Sequence, residues 1–193
     1  DLLAYHKINK LRLHLTDDEA WRLEIKSHPE LAAIGGFRGG DSPIWPRYGK
    51  WGERWGGYYT HEDMREIIAY AKVRNIEVIP EIDLPGHSLT MATIHPEILC
   101  GYTPNLESSY GYDTRSAFCA AKESNYKLLS DILAEVCELF DTKYIHIGGD
   151  EVETSQWERC PDCQALMTKM GYTSPNQLQA YFMLRLSDML AQH

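Results

Sequence analysis

The sequence predicts an α/β fold built around a parallel sheet, and three observations carry this prediction. Helix-like and strand-like runs alternate along the 193 residues, which is typical of units in which a helix connects two parallel strands. Hydrophobic residues make up 44% of the chain and charged residues 24%, as expected for one packed globular domain. Ionisable side chains also cluster just after each predicted strand, where ligands bind in parallel barrels and open α/β sheets.

The first predicted elements come from periodicity and capping. Residues 3–9 have the pattern of the end of a helix, and residues 11–16 alternate apolar and polar side chains with the period of two of a strand. Thr60 begins a capping-box-like sequence with Asp63 at the third helical position. Apolar residues follow at helical spacing, so a helix is predicted over residues 60–74.

The rest of the chain repeats this alternation. Residues 76–82 (IEVIPEI) predict a second strand, and residues 143–148 predict a third that ends in Gly-Gly-Asp-Glu. Apolar residues at helical spacing predict helices over residues 124–140 and 175–191. Long polar loops that contain glycine are predicted at residues 35–58 and 99–122.

The charge balance excludes several classes of partner. The chain has 28 acidic and 19 basic residues, a formal charge of -9, which argues against nucleic acid or an anionic membrane as the main partner. No apolar run approaches the roughly 20 residues that span a bilayer. The chain begins at Asp1 without an initiator Met, so we expect a processed or excised piece of a longer protein.

The five cysteines allow more than one interpretation. Cys137 lies in an apolar helical run and is expected to be a small buried hydrophobe. Cys160 and Cys163 have the CxxC form of a zinc knuckle or redox motif, but no second CxxC or HxxxH follows to complete four ligands. A local disulfide or two free thiols is therefore preferred for this pair. A disulfide between Cys100 and Cys119 is a further interpretation, which requires that the protein meets an oxidising compartment.

The residues that could carry chemistry follow the three predicted strands. Asp150 and Glu151 are adjacent, and Gly148-Gly149 breaks the strand so that both can serve one pocket. Adjacent carboxylates do not face each other at about 5 Å like the acid and nucleophile of ordinary retaining glycosidases. One carboxyl is therefore expected to be a general acid and the other to orient or stabilise the substrate.

A histidine relay is the second predicted feature of the site. His87 follows Pro-Gly, which fixes its direction. If it lies within reach of Glu151 and is held by Asp17, it forms a carboxylate–His–carboxylate relay that sets the tautomer and tunes the acid. Asp83, four residues before His87, is a second candidate partner.

Three segments of the sequence resemble the catalytic domain of family 20 glycoside hydrolases, the β-N-acetylhexosaminidases. They are LRLHLTDDEAWRLEI, YYTHEDMREIIAYAKVRNIEVIPEIDLPGH and YIHIGGDEV, followed by Trp157 and Cys163-Gln164. The resemblance implies a (β/α)8 barrel, of which the chain holds roughly strands two to four. Since 193 residues fall below the roughly 250 of such barrels, we expect a single, incomplete barrel domain over residues 1–193.

The resemblance also implies roles for individual residues. Glu151 is the general acid/base, and Asp150 holds the 2-acetamido group whose oxygen attacks the anomeric carbon and forms an oxazolinium ion. Asp17 and His87 support the acid. Further candidates for substrate binding are Asp83, His146 and Asp18.

The implied activity is exo-hydrolysis of terminal β-linked N-acetylglucosamine or N-acetylgalactosamine, with retention and without a metal or cofactor. Glycans that contain N-acetylhexosamine are thus the expected partners, and a secreted, periplasmic or lysosome-like compartment is favoured. Open sheet edges in an incomplete barrel predict self-association of the fragment.

Two alternatives remain open from the sequence. A metal-dependent hydrolase on a similar barrel would use Asp83, His87, His146 and Asp150 as ligands, although metal ligands need convergent geometry and no HxH pair is present. A non-catalytic sugar-binding module of the same fold is the other alternative.

Overall fold

A computed structural model of the chain describes residues 1–44, 52–101 and 116–193. The helices are α1 (Leu2–Tyr5), α2 (Pro29–Gly35), α3 (His61–Lys72), α4 (Leu89–Ile94), α5 (Glu123–Leu139), α6 (Ser155–Arg159), α7 (Pro161–Met170) and α8 (Pro175–Leu190), with a 3₁₀ turn at Pro96–Ile98. The strands are β1 (Lys10–His14), β2 (Thr16–Asp17), β3 (Ala20–Trp21), β4 (Phe37–Arg38), β5 (Trp55–Gly56) and β6 (Glu77–Glu81). In the described ranges, no helix is long and apolar enough to cross a membrane.

The parallel sheet has the predicted direction but is smaller than predicted. β1 pairs in parallel with β6, from Lys10 opposite Glu77 to His14 opposite Glu81. The third predicted strand, residues 143–148, forms only a parallel bridge between Glu81 and His146. Its backbone still bonds to β6 on both sides of the bridge, at 2.9 Å from the His146 N–H to the Pro80 carbonyl and from the Ile82 N–H to the His146 carbonyl. A regular strand does not continue because the chain turns away at the two glycines that follow.

The three long predicted helices are confirmed within one or two residues at each end. α3 begins with the predicted capping box, in which the Asp63 N–H donates to the Thr60 hydroxyl and the Thr60 N–H donates to the Asp63 carboxylate. α5 buries one apolar face and packs against α8. The prediction for Cys137 on α5 was only partly right, because this thiol is half-buried.

Short elements were not predicted from the sequence. β2 and β3, and β4 and β5, pair as antiparallel strands of two residues each, too short for a periodic signal. α4, α6 and α7 are also short, and the helix predicted to end in residues 3–9 is the four-residue α1. Residues 45–51 and 102–115, which belong to the two predicted loops, lie outside the described residues.

One hydrophobic core lies beneath the carboxyl ends of the sheet. Trp157 of α6 is fully buried, and its indole N–H donates to the Phe118 carbonyl at 2.8 Å. The Phe118 ring packs against Phe182 of α8 at a centroid distance of 6.1 Å. These contacts join Phe118, in the segment after β6, to α6 and to α8.

Candidate active site

The ends of β1, β6 and the bridge segment bring the predicted residues to one rim. Asp17 lies in β2, three residues after β1 ends, and His87 lies six residues after β6 ends. Glu151 follows the bridge segment. The parallel topology therefore converges three distant segments, as the carboxyl ends of parallel strands do in barrels.

Asp17, His87 and Glu151 form a continuous chain of charged groups. The His87 Nδ1–H donates to Asp17 Oδ1 at 3.1 Å. On the other side of the ring, His87 Nε2 lies 3.6 Å from Glu151 Oε2, an ion-pair distance slightly longer than a hydrogen bond. The His87 side chain is 10% exposed, whereas that of Glu151 is 47% exposed. The relay thus connects a sheltered imidazole to a carboxyl group that is open to substrate.

The protonation of His87 follows from its carboxylate neighbours. The hydrogen bond to Asp17, together with the negative charges of Asp17, Asp83 and Asp18, raises the pKa of His87 to about 9 in spite of burial. Burial raises the pKa of Asp17, but the hydrogen bond from His87 and the backbone N–H of Asp18 outweigh it, so the pKa of Asp17 is lowered. At neutral pH the pair is therefore an Asp17 carboxylate and a His87 imidazolium.

Two residues of the rim have left-handed backbone conformations. His87 has φ of 50° and Glu151 has φ of 49°, a region that residues other than glycine seldom occupy. Such conformations persist only where surrounding contacts enforce them, and they cluster at functional sites. Both ends of the His87–Glu151 contact are therefore held by the fold.

Asp83 is a buried carboxyl group beneath the rim. It is 2% exposed, its backbone N–H donates to the Thr16 hydroxyl at 3.0 Å, and its Oδ1 accepts the Gly149 N–H at 3.4 Å. Burial, supported by the negative charge of Asp150, raises the pKa of Asp83 to about 6. Asp83 thus organises the turn after the bridge segment and carries little solvent-accessible surface.

Gly148 and Gly149 place the adjacent carboxyl groups. Gly148 has φ of 65°, and a side chain there would overlap Asp83. The Gly149 carbonyl accepts the side-chain N–H of Gln179 in α8 at 2.7 Å. The turn therefore leaves the sheet at a fixed angle, and both Asp150 and Glu151 are exposed at the rim.

The other two predicted binding residues occupy different positions. Asp18 is buried, and its carboxylate accepts the Leu89 N–H at the start of α4 at 3.0 Å. His146 lies on the sheet, 3.1 Å from the Glu81 carboxylate and 3.3 Å from Arg12 Nη1. Contact of either residue with substrate stays a prediction.

The metal-ligand set considered from the sequence comes together only in part. Ligand atoms of Asp83, His87 and Asp150 lie within 4.8 Å of one another, without His146. The four-residue set proposed for a metal-dependent hydrolase therefore lacks one of its members at this rim.

His14 is a site residue that the sequence reasoning missed. Its Nε2 lies 3.3 Å from Asp83 Oδ2 and 3.9 Å from Asp17 Oδ2. The signal was present in the alternation of β1, since Lys10, Arg12 and His14 share one face of the strand. His14 thus adds two imidazole-to-carboxylate contacts to the rim.

A carboxyl group that faces a fixed imidazolium, with a second carboxyl group beside it at the ends of parallel strands, defines a general acid–base site. The model of the catalytic domain of glycosyl hydrolase family 20 matches residues 1–193, and the chain belongs to this family. Solved members of the family have a TIM-barrel fold, with which the mixed α/β structure and its small parallel sheet agree.

Similar proteins are known from several bacteria. The chain is 45% identical over 184 residues to a β-hexosaminidase of Vibrio furnissii. This match covers 94% of this chain and 30% of that protein. It is 37% identical over 197 residues to a β-hexosaminidase of Porphyromonas gingivalis, and this match covers 100% of this chain and 24% of that protein. The crystal structure of an exo-β-N-acetylglucosaminidase from Vibrio harveyi in complex with N-acetylglucosamine superimposes with a TM-score of 0.89 and 40% identity, over 99% of this chain and 30% of that chain. The chain therefore spans less than a third of the length of each of these relatives.

Proposed function

We propose that the protein carrying this chain is an exo-acting β-N-acetylhexosaminidase. It hydrolyses terminal, non-reducing β-linked N-acetylglucosamine or N-acetylgalactosamine residues of glycans with retention of configuration. The observation that carries the proposal is the relay from Asp17 through His87 to Glu151. The family membership of the chain and the names of its relatives support it.

Glu151 serves as the general acid/base. It is exposed at the rim, and His87 lies 3.6 Å from its carboxyl oxygen. As Glu151 gives its proton to the departing glycosidic oxygen, negative charge develops on its carboxylate. The imidazolium of His87 stabilises that charge where it forms, and Asp17 keeps the imidazolium in place. His87 and Asp17 are positioning residues in this scheme.

Asp150 orients the 2-acetamido group of the substrate. A carboxylate beside the acetamido N–H aligns the carbonyl oxygen for attack on the anomeric carbon and stabilises the positive charge of the oxazolinium ring. The nucleophile then belongs to the substrate, which is the known exception to the two-carboxylate rule in this family. Asp83 is unsuited to nucleophilic attack because it is buried beneath the turn.

The 193 residues form part of a barrel, corresponding to roughly strands two to four. Each residue of β1 is exposed or half-buried, whereas three of the five residues of β6 are buried. A strand inside a closed barrel is covered on both faces. Other barrel elements are the natural cover for β1, and a fragment without them would cover it by self-association. Sedimentation of the 193-residue segment beside the full-length protein tests this, since a monomeric, cooperatively melting segment would contradict it.

The proposed chemistry is tested through Asp150 in the full-length protein. Asp150→Asn keeps the shape and removes the charge, so we expect a loss of about 2–4 kcal/mol in transition-state stabilisation, measured as kcat/KM. A thiazoline analogue of the cyclic intermediate should inhibit the wild-type enzyme and bind the variant less tightly. β-Glucosides lack the acetamido nucleophile and should be nearly inert. Cleavage of β-glucosides as fast as of β-N-acetylglucosaminides would refute the assignment of Asp150.

A further inference from the structure

Four of the five cysteines converge behind the candidate active site. Cys100 follows the 3₁₀ turn, Cys119 precedes α5, and Cys160 and Cys163 lie at the start of α7. Their sulfur atoms all lie within 4.8 Å of one another. The two further ligands of the CxxC pair, Cys100 and Cys119, therefore precede it in the chain.

The spacing of the sulfur atoms matches that of four thiolate ligands around one metal ion. The distances between sulfur atoms are 3.8 Å for Cys100 and Cys163, 4.0 Å for Cys119 and Cys160, and 3.6 Å for Cys119 and Cys163. Zinc bound by four thiolates at about 2.3 Å in a tetrahedron sets its sulfur atoms about 3.8 Å apart. Cys119 and Cys163 each contact two other sulfurs, so the four form one cluster and not two separate pairs. We propose that this four-cysteine cluster is a structural zinc site.

The surroundings favour thiolates. Cys160 caps α7 and Cys163 lies in its first turn, where the helix dipole and free backbone N–H groups stabilise negative charge. The Ala121 N–H donates to the Cys119 sulfur. Cys119, Cys160 and Cys163 are buried, which closes the site to water as in structural zinc sites.

The position of the cluster gives the metal a mechanical role. Residues 116–119 lie between the segment that carries His87 and the segment that carries Glu151. The Phe118 N–H donates to the Pro85 carbonyl at 2.9 Å, and the side-chain N–H of Gln156 in α6 donates to the Ala117 carbonyl at 2.6 Å. Zinc would fasten this strip to the start of α7. The zinc would thereby tie the segment that carries His87 to the segment that carries Glu151. It would take no part in the chemistry itself.

Zinc content is the direct test, and it does not depend on catalytic activity. The full-length protein is purified from a reducing cytosol without chelators and analysed by inductively coupled plasma mass spectrometry. We expect about one zinc per chain. Cys119→Ser and Cys163→Ser should each lower this to background, whereas Cys137→Ser, which changes the one cysteine outside the cluster, should keep it.

A second measurement on the wild-type protein avoids variants that fail to fold. Co²⁺ exchanged for the bound metal should give the d–d absorption and thiolate charge-transfer bands of a tetrahedral thiolate site, and a strong chelator should lower the melting temperature. Alkylation under denaturing, non-reducing conditions should label all five cysteines once the metal is removed. Disulfides within the cluster, or four free thiols that take up neither Zn²⁺ nor Co²⁺ under reducing conditions, would overturn the proposal.

Discussion

Among the glycines that the structure describes, Gly148 leaves the least room for a side chain, and Gly148→Ala tests how the turn before Asp150 is built. An added Cβ would lie 2.9 Å from the Cα of Asp83 and closer still to its carboxylate, at distances that real Cβ atoms do not show. The backbone φ of 65° adds a second cost, since alanine in the left-handed region loses roughly 1–2 kcal/mol. Both costs act at the point where Asp83 meets the turn.

Gly171 separates these two costs. It ends α7 with φ of 70°, and nothing lies within 4 Å of a Cβ built there. Gly171→Ala therefore carries the backbone cost alone, partly offset by about 0.4–1 kcal/mol from the reduced entropy of the unfolded chain. Displacing packed groups in a core typically costs about 1–3 kcal/mol more. We expect Gly148→Ala to lower the free energy of unfolding by about 2–4 kcal/mol and Gly171→Ala by about 1 kcal/mol or less.

Urea denaturation and kcat/KM of the full-length protein measure the difference. Gly148→Ala should also lower kcat/KM, because relief of the overlap moves Asp83 and the adjacent carboxyl groups of the turn. Gly171→Ala should leave kcat/KM unchanged, since α7 ends away from the rim. Equal losses of stability and activity in the two variants would show that the contact between Gly148 and Asp83 does not shape the site.

Three further predictions concern the ionisable groups. Glu151→Gln should reduce turnover most for substrates with poor leaving groups and spare activated aryl glycosides in part; equal losses for both would argue against Glu151 as the acid. Asp17→Asn removes the negative charge of the acceptor whose hydrogen bond raises the pKa of His87 to about 9, so the alkaline limb of the kcat/KM profile should move to lower pH. The stability difference between wild type and Asp17→Asn should be full between the ordinary aspartate pKa of about 3.9 and the ordinary histidine pKa of about 6.5, and it should vanish as pH rises through about 9; a constant difference would contradict this. Burial raises the pKa of Asp83 from 3.8 to about 6, so the stability of Asp83→Asn relative to wild type should increase as pH rises through that interval, and pH-dependent denaturation that shows no such increase would refute it.

The regular elements and the rim could be predicted because each rests on a local pattern. Alternation of side chains marks β1, the capping box marks α3, and apolar spacing marks α5 and α8. Parallel topology then requires the residues after each strand to meet. The convergence of Asp17, His87 and Glu151 follows from that topology.

Other features depend on contacts between distant segments and left no such pattern. The shortening of the third strand depends on how Gly148 fits against Asp83, which no spacing within residues 143–148 reveals. The four-cysteine cluster joins Cys100 to Cys163 across 63 positions, so the CxxC pair looked incomplete in sequence. Tertiary packing, and not local propensity, decided both outcomes.

The parallel pairing of β1 with β6 has a consequence for how the protein reaches its native state. Lys10 lies opposite Glu77, 67 positions further along the chain, so the first rung of the sheet forms only after a long loop has closed. Such non-local pairing makes folding slow, because the entropy of loop closure is lost before the contacts repay it. α3 and α5 can form early from local contacts, and until the strands meet their apolar faces stay exposed to other chains. We therefore expect the rim to assemble late in refolding, after a stage that is prone to aggregation.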